Sequence, residues 1–184
     1  MAHLPWVCLP LTSIDIEAYI TSLVEEVRQE RQSRRHAVPL QPPASGAALQ
    51  QFREQVINRL SYELPKAYLE LLSKVDGIDS NGFVLYASAT QTLSGHAGRT
   101  DYYIEGFIEA NLVWRNYEPN KQFVFFAETG DVVYCHNLIT GKFQIMDRIA
   151  QEVDSDENVF ETCEVMLEKL LNHMLDRYGV DEDA

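Results

Sequence analysis

The sequence predicts an α+β fold: a central, mainly antiparallel sheet of about four to six strands, with helices packed on it and a long C-terminal helix. Two observations predict it. Apolar residues recur at helical intervals near both ends of the 184-residue chain, while short β-prone runs with Gly-containing connections crowd the stretch from Phe123 to Met146. The elements are clustered rather than alternating, which is the pattern of helices segregated onto an antiparallel sheet.

Thr12 and Asp15 have the spacing of a capping box, and Ile16, Tyr19, Ile20, Leu23, Val24 and Val27 continue as one helical stripe. This first helix should end in the polar run RQERQSRRH. The segment AVPLQPPASGAA, residues 37–48, reads as a mobile linker because prolines and small residues dominate it. Leu49, Phe52, Val56 and Leu60 mark a second helix. A third opens at Pro65, where a missing N–H does no harm, and buries Tyr68, Leu71, Leu72 and Val75. Gly77 suits a left-handed C-terminal cap to that helix, and Asn81-Gly82 suits a tight turn into a strand from Phe83 to Ala87. Tyr103, Ile104, Phe107, Ile108 and Leu112 suit a short helix leading to Trp114. Three strands follow, Phe123 to Ala127, Asp131 to His136 and Lys142 to Met146. Val159 through Tyr178 then describes the closing helix. Asp154, Asp156, Glu157 and Glu161 crowd its start, where the helix dipole favours acids.

Length and composition favour one domain over residues 1–184, divided into an N-terminal helix (1–36), the Pro-rich linker (37–48) and a core (49–178). Apolar residues are 46% and charged residues 23%, ordinary values for a globular chain, and no apolar run approaches the ~20 residues a membrane span needs. The N-terminus lacks a basic leader segment, and Cys8, Cys135 and Cys163 are too scattered for a disulfide framework, so free thiols in a reducing cytoplasm are expected. The net charge of −13 argues against direct nucleic-acid binding, which needs clustered Lys and Arg. From Ala150 onward there are eleven acids and two bases, so −9 of the total lies at one end. Such asymmetry steers a basic partner.

The helix at Leu64 carries a resemblance. LPKAYLELLSKVDG resembles the LPxxYxxFLxxxNG signature of the SUKH superfamily, which includes the fungal Smi/Knr cell-wall-synthesis regulators. Leu64, Pro65, Tyr68, Leu72 and Gly77 match, while Leu71 takes the phenylalanine position and Asp76 the asparagine position. NLVWRNY, with Trp114, looks like the family's segment entering the central strands. FVFFAETGDVVYCHNLITGKFQIMDR looks like its strand block, and ENVFETCEVMLEKLL like its closing helix. The likeness covers roughly residues 49–175 and leaves out the first helix and the linker. It implies an α+β domain without catalytic residues that holds other proteins. In bacteria this is often an immunity protein neutralising a toxin domain, in fungi a signalling scaffold. In that family the matched Tyr68 packs the helix on the sheet and Gly77 allows the turn.

Cys135 and His136 are adjacent on a strand, so their side chains point to opposite faces. The five histidines lack HxxxH or HExxH spacing, and SGHAGR lacks the GK[ST] of a phosphate loop. No metal and no cofactor is expected, and the chain reads as a non-enzyme. Tyr102, Tyr103 and Tyr117 are expected in the core, with exposed interface anchors as the alternative. The leading functional expectation is an immunity-type binding module, a monomer or weak dimer, whose acidic face covers a basic toxin domain such as a nuclease or deaminase. Charge alone places the contact at Asp154, Asp156, Glu157, Glu161 and Glu164, and near Asp101, Glu105 and Glu109. The alternative is an intracellular scaffold for a cytosolic client, with the first helix and linker as a docking arm.

Overall fold

The computed structural model of the protein describes residues 13–33, 40–96 and 102–175; Cys8, Thr12, Asp101 and Tyr178 lie outside them. Among the described residues there are five α-helices: α1 (Ser13–Ser33), α2 (Gly46–Leu60), α3 (Lys66–Leu72), α4 (Phe107–Trp114) and α5 (Cys163–Met174). The strands are β1 (Ile78–Ser80), β2 (Phe83–Leu85), β3 (Gln91–Thr92), β4 (Tyr103–Ile104), β5 (Phe123–Glu128), β6 (Val132–Asn137), β7 (Lys142–Asp147) and β8 (Val159–Phe160). Six of them form one antiparallel sheet in the order β1-β2-β5-β6-β7-β8, and β3 pairs with β4 as a separate ribbon. This is the α+β architecture that the clustering predicts.

The sheet's centre is β5, whose residues Phe123 to Ala127 are all buried. The β5–β6 register shifts between Phe125 and Ala127, so Phe126 is the extra residue of a bulge. Its ring meets Tyr68 edge-on at 5.0 Å, Phe107 at 5.3 Å and Phe143 at 6.0 Å. Pro65 stands at the N-cap of α3 with φ −58°, and the short helix turns Tyr68, Leu71 and Leu72 inward. Tyr68 is fully buried and donates its hydroxyl to the Tyr86 carbonyl at 2.6 Å, the partner a buried phenol needs. The α1 stripe of Ile20, Leu23, Val24 and Val27 is buried too, as α1 packs on α5 and α3.

Four sequence expectations are corrected. Residues 40–45 are a strap rather than a mobile linker. Buried Gln41 donates to Thr92 O and accepts from Ser94, Pro42 O takes the Asp76 N–H at 3.0 Å, and the Ala44 N–H reaches Leu72 O at 2.9 Å. Tyr103–Ile104 is a strand, because its partner is the Gln91–Thr92 segment inside the polar loop. Gly77 is not the cap of α3, which ends earlier at Ser73. It has φ +86°, and a Cβ there would lie 2.9 Å from the Ala87 Cβ, so glycine permits both the turn and the close approach. The C-terminal helix is short. Phe160 sits opposite Phe143 at the sheet edge, so the chain must remain extended until Thr162 before α5 can begin. Consequently Asp156 and Glu157 lie in a 3-10 turn capped by Ser155, and Asp154, Asp156, Glu157 and Glu161 all precede α5, whose first turn holds Glu164 instead.

Candidate functional site

Behind β5, on the side of α4, the local sequence builds a cleft. β2 pairs with β5 only at Ala127 and Glu128, which leaves the Phe125 backbone without a strand on this side, and fully buried Asn111 of α4 replaces one. Its amide donates to Phe125 O at 2.8 Å and its carbonyl accepts from Phe125 N at 2.8 Å. This side chain therefore ties α4 to the sheet in place of strand pairing. One turn further on, Trp114 stacks on Phe125 at 5.0 Å and donates its indole N–H to the Tyr86 hydroxyl at 2.9 Å. The Arg148 guanidinium covers the other face, 5.2 Å from the ring centroid.

Arg148 is held by its surroundings. Its N–H bonds Asp131 O at 2.8 Å, and Nη1 donates to Thr129 O at 2.9 Å. The loop that follows is closed by the Asp147 carboxylate, which accepts from Ile149 N and Ala150 N. Nη1 also lies 3.3 Å from Glu128 Oε2. That is ion-pair range without hydrogen-bond alignment, and Glu128 Oε2 has no hydrogen-bond partner among the described residues. Glu105 enters from the opposite wall, its carbonyl bonded to Ala87 N and the following Gly106 N–H to Thr90 Oγ1. A Cβ on Gly106 would come 2.5 Å from Thr90 N, so only glycine lets the segment pass here.

These elements enclose an open cleft of about 400 Å³, lined among others by Glu105, Trp114, Tyr117, Asn120, Glu128 and Arg148. Burial, with the Glu128 and Glu109 carboxylates near it, raises the Glu105 pKa above the ordinary glutamate range. Glu109 itself is paired with Arg59 at 3.3 Å. The rim is apolar and exposed: Val113 is 72% accessible, Tyr117 60%, and Ile149, next to Arg148, 91%. Tyr102 and Tyr103 are exposed as well, so the expectation of core packing fails for all three tyrosines. Each follows or precedes a short strand or turn whose inward positions are already filled by Ile104, Phe107 and Asn120.

The other acids named from charge do not gather here. Asp154, Asp156 and Glu157 are exposed ahead of β8, Glu161 pairs with Lys142, and Glu164 lies by Lys66 and Lys74 beside α3. Glu105 and Glu109 are near the cleft, and Trp114 forms its wall. Sequence reading missed Glu128, Arg148, Asn120 and Asn111. Glu128 looked like part of a turn, and nothing in its spacing marks a carboxylate facing an arginine twenty residues later.

Elsewhere the chemistry is sparse. The Cys135 and Cys163 thiols are buried, and burial pushes both well up from their ordinary value. His136 shares a hydrogen bond with Tyr62 at 2.8 Å and stacks on Phe143, so it does not approach Cys135 as a base. A second cleft, about 430 Å³, contains Asp131, Tyr134, Asn158 and His173, with Tyr134 Oη 2.8 Å from His173 Nδ1. Among the described residues no group of three His, Cys, Asp or Glu could hold a metal ion, and no helix is long and apolar enough to cross a membrane. No protein-family model matches the chain, and no curated protein sequence matches it.

Proposed function

We propose that the chain is a non-catalytic protein-binding module that masks a basic partner in the cytoplasm, of the immunity type that neutralises a toxin domain such as a nuclease or deaminase. The observation that carries the binding reading is the cleft beside α4. It combines half-buried carboxylates, a fixed aromatic wall and exposed apolar rim residues, the composition of an interface anchor site. Carboxylates facing a partner's cations supply specificity, and the −13 net charge speeds encounter at low salt. The SUKH resemblance supplies the immunity part of the reading. Burial of the α1 stripe in the core favours this reading over a scaffold that uses the first helix as a docking arm.

Co-expression with basic nuclease and deaminase toxin domains tests the reading. Growth should be rescued, with a complex that weakens as salt rises. Neither rescue nor complex would overturn it.

A further inference from the structure

The cleft holds more negative charge than its resident cation can balance. Arg148 is directed to Glu128, Thr129 O and the Trp114 face, and Glu109 is committed to Arg59. No cation among the described residues pairs with Glu105. Half-burial makes that charge costly, which is visible in its raised pKa. Asn120 lines the same cleft at 2% exposure and gives its Nδ2 to Trp114 O, yet its Oδ1 has no hydrogen-bond partner among the described residues. An unpaired carboxylate and an orphaned buried acceptor thus share one opening with the exposed Tyr117 ring.

Resting on the binding reading above, we propose that this cleft takes one arginine side chain of the basic partner, paired with the Glu105 carboxylate and laid against the Tyr117 ring beside Arg148. A guanidinium fits better than an ammonium. It is flat, stacks on an aromatic face, and spreads five donors over a fork wide enough for a carboxylate and a second acceptor. Arg148 already displays this mode within the fold: one guanidinium lies over an indole and beside a glutamate. The partner's arginine repeats it on the wall that Arg148 leaves uncovered. The cleft's volume of about 400 Å³ admits such a side chain without moving the Asn111 tie.

The test uses the full chain and a small probe, N-acetyl-arginine amide, followed by two-dimensional ¹H–¹⁵N NMR. Saturable shifts are expected at the Glu105 and Tyr117 amides and at the Trp114 indole. N-acetyl-citrulline amide, of the same shape but uncharged, should produce none. Glu105→Gln should weaken the probe about tenfold, the loss of one charge-assisted contact, and Tyr117→Ala about threefold. Tyr117 is 60% exposed, so its truncation leaves the fold intact as an independent variant. No saturable shift, an equal response to citrulline, or undiminished affinity in Glu105→Gln would overturn the site. Failure of the two layers is distinguishable. A toxin complex insensitive to Glu105→Gln removes the arginine site and leaves the binding module. Probe binding without any protein complex removes the module reading and leaves the site.

Discussion

The cleft beside α4 and the acidic run from Asp154 to Glu164 carry the same carboxylates in opposite settings. In the run, Asp154, Asp156, Glu157 and Glu161 stand exposed, Asp156 and Glu157 follow a Ser155 cap, and Glu161 has a lysine partner. In the cleft, Glu105 and Glu128 are half-buried and backed by an aromatic stack, and the one arginine there pairs with Glu128. Exposed charges interact through water and are screened beyond roughly 8 Å at physiological salt, so the run acts at a distance and weakly. Desolvated charges act at contact. Local acid density and binding potential are therefore different quantities, and here they point to different residues.

The comparison breaks most easily at Asn111. Asn111→Ala leaves the Phe125 N–H and C=O buried and unpaired and should cost about 3 kcal/mol, taking the α4 wall with it. Urea denaturation reads this as a lower midpoint; an unchanged midpoint would mean that the side chain is not what ties α4 to the sheet. Nothing of that size should follow from any change in the acidic run.

Glu105→Gln sharpens the contrast because its two effects have opposite signs. The folded-state pKa of Glu105 is raised, so its ionised form is disfavoured by folding. That cost is absent below the ordinary glutamate range and complete at neutral pH. The variant should melt higher at pH 7 while binding the partner about tenfold more weakly. A residue of purely structural value would lose both. The same sign gives the pH dependence. Burial first, and then the Glu128 and Glu109 carboxylates, raise the Glu105 pKa with Arg148 on the same cleft, so its charge disappears early on acidification. Arginine-probe affinity should start falling above the ordinary glutamate range and be abolished below it, as measured by NMR titration.

The smallest effect belongs to the run. Neutralising Asp154, Asp156 and Glu157 together should slow association a few-fold at low salt and leave dissociation unchanged. Stopped-flow mixing measures both rates. A faster dissociation would make these acids part of the contact itself.

Most of the frame was legible in the sequence because local signals agree with the tertiary outcome. Pro65 opens α3, the Asn81-Gly82 turn closes the β1–β2 hairpin with positive φ at both residues, and the Phe123 to Asp147 meander follows its glycine turns. Errors arose where a distant partner overrode the local pattern. Val159–Phe160 continues the helical stripe of α5, yet pairing with Phe143 and Gln144 makes it a strand. The prolines of 40–45 read as flexible, yet Gln41, Pro42 and Ala44 find hydrogen-bond partners 28 to 53 residues away. The cleft was the least legible part. Glu105 and Trp114 were singled out for unrelated reasons, charge and resemblance, and only the bulge at Phe126 and the loop after β7 bring Glu128 and Arg148 to them. Spacing along the chain holds no record of that convergence.

Hydrogen–deuterium exchange of the full chain, free and saturated with a basic protein partner that it binds, separates the two regions in one measurement. Slowed exchange over residues 105–120 and 146–151, with residues 152–164 unchanged, is the outcome expected for a cleft contact. Protection confined to residues 152–164 would show that the acidic run is the binding face and that the cleft is not.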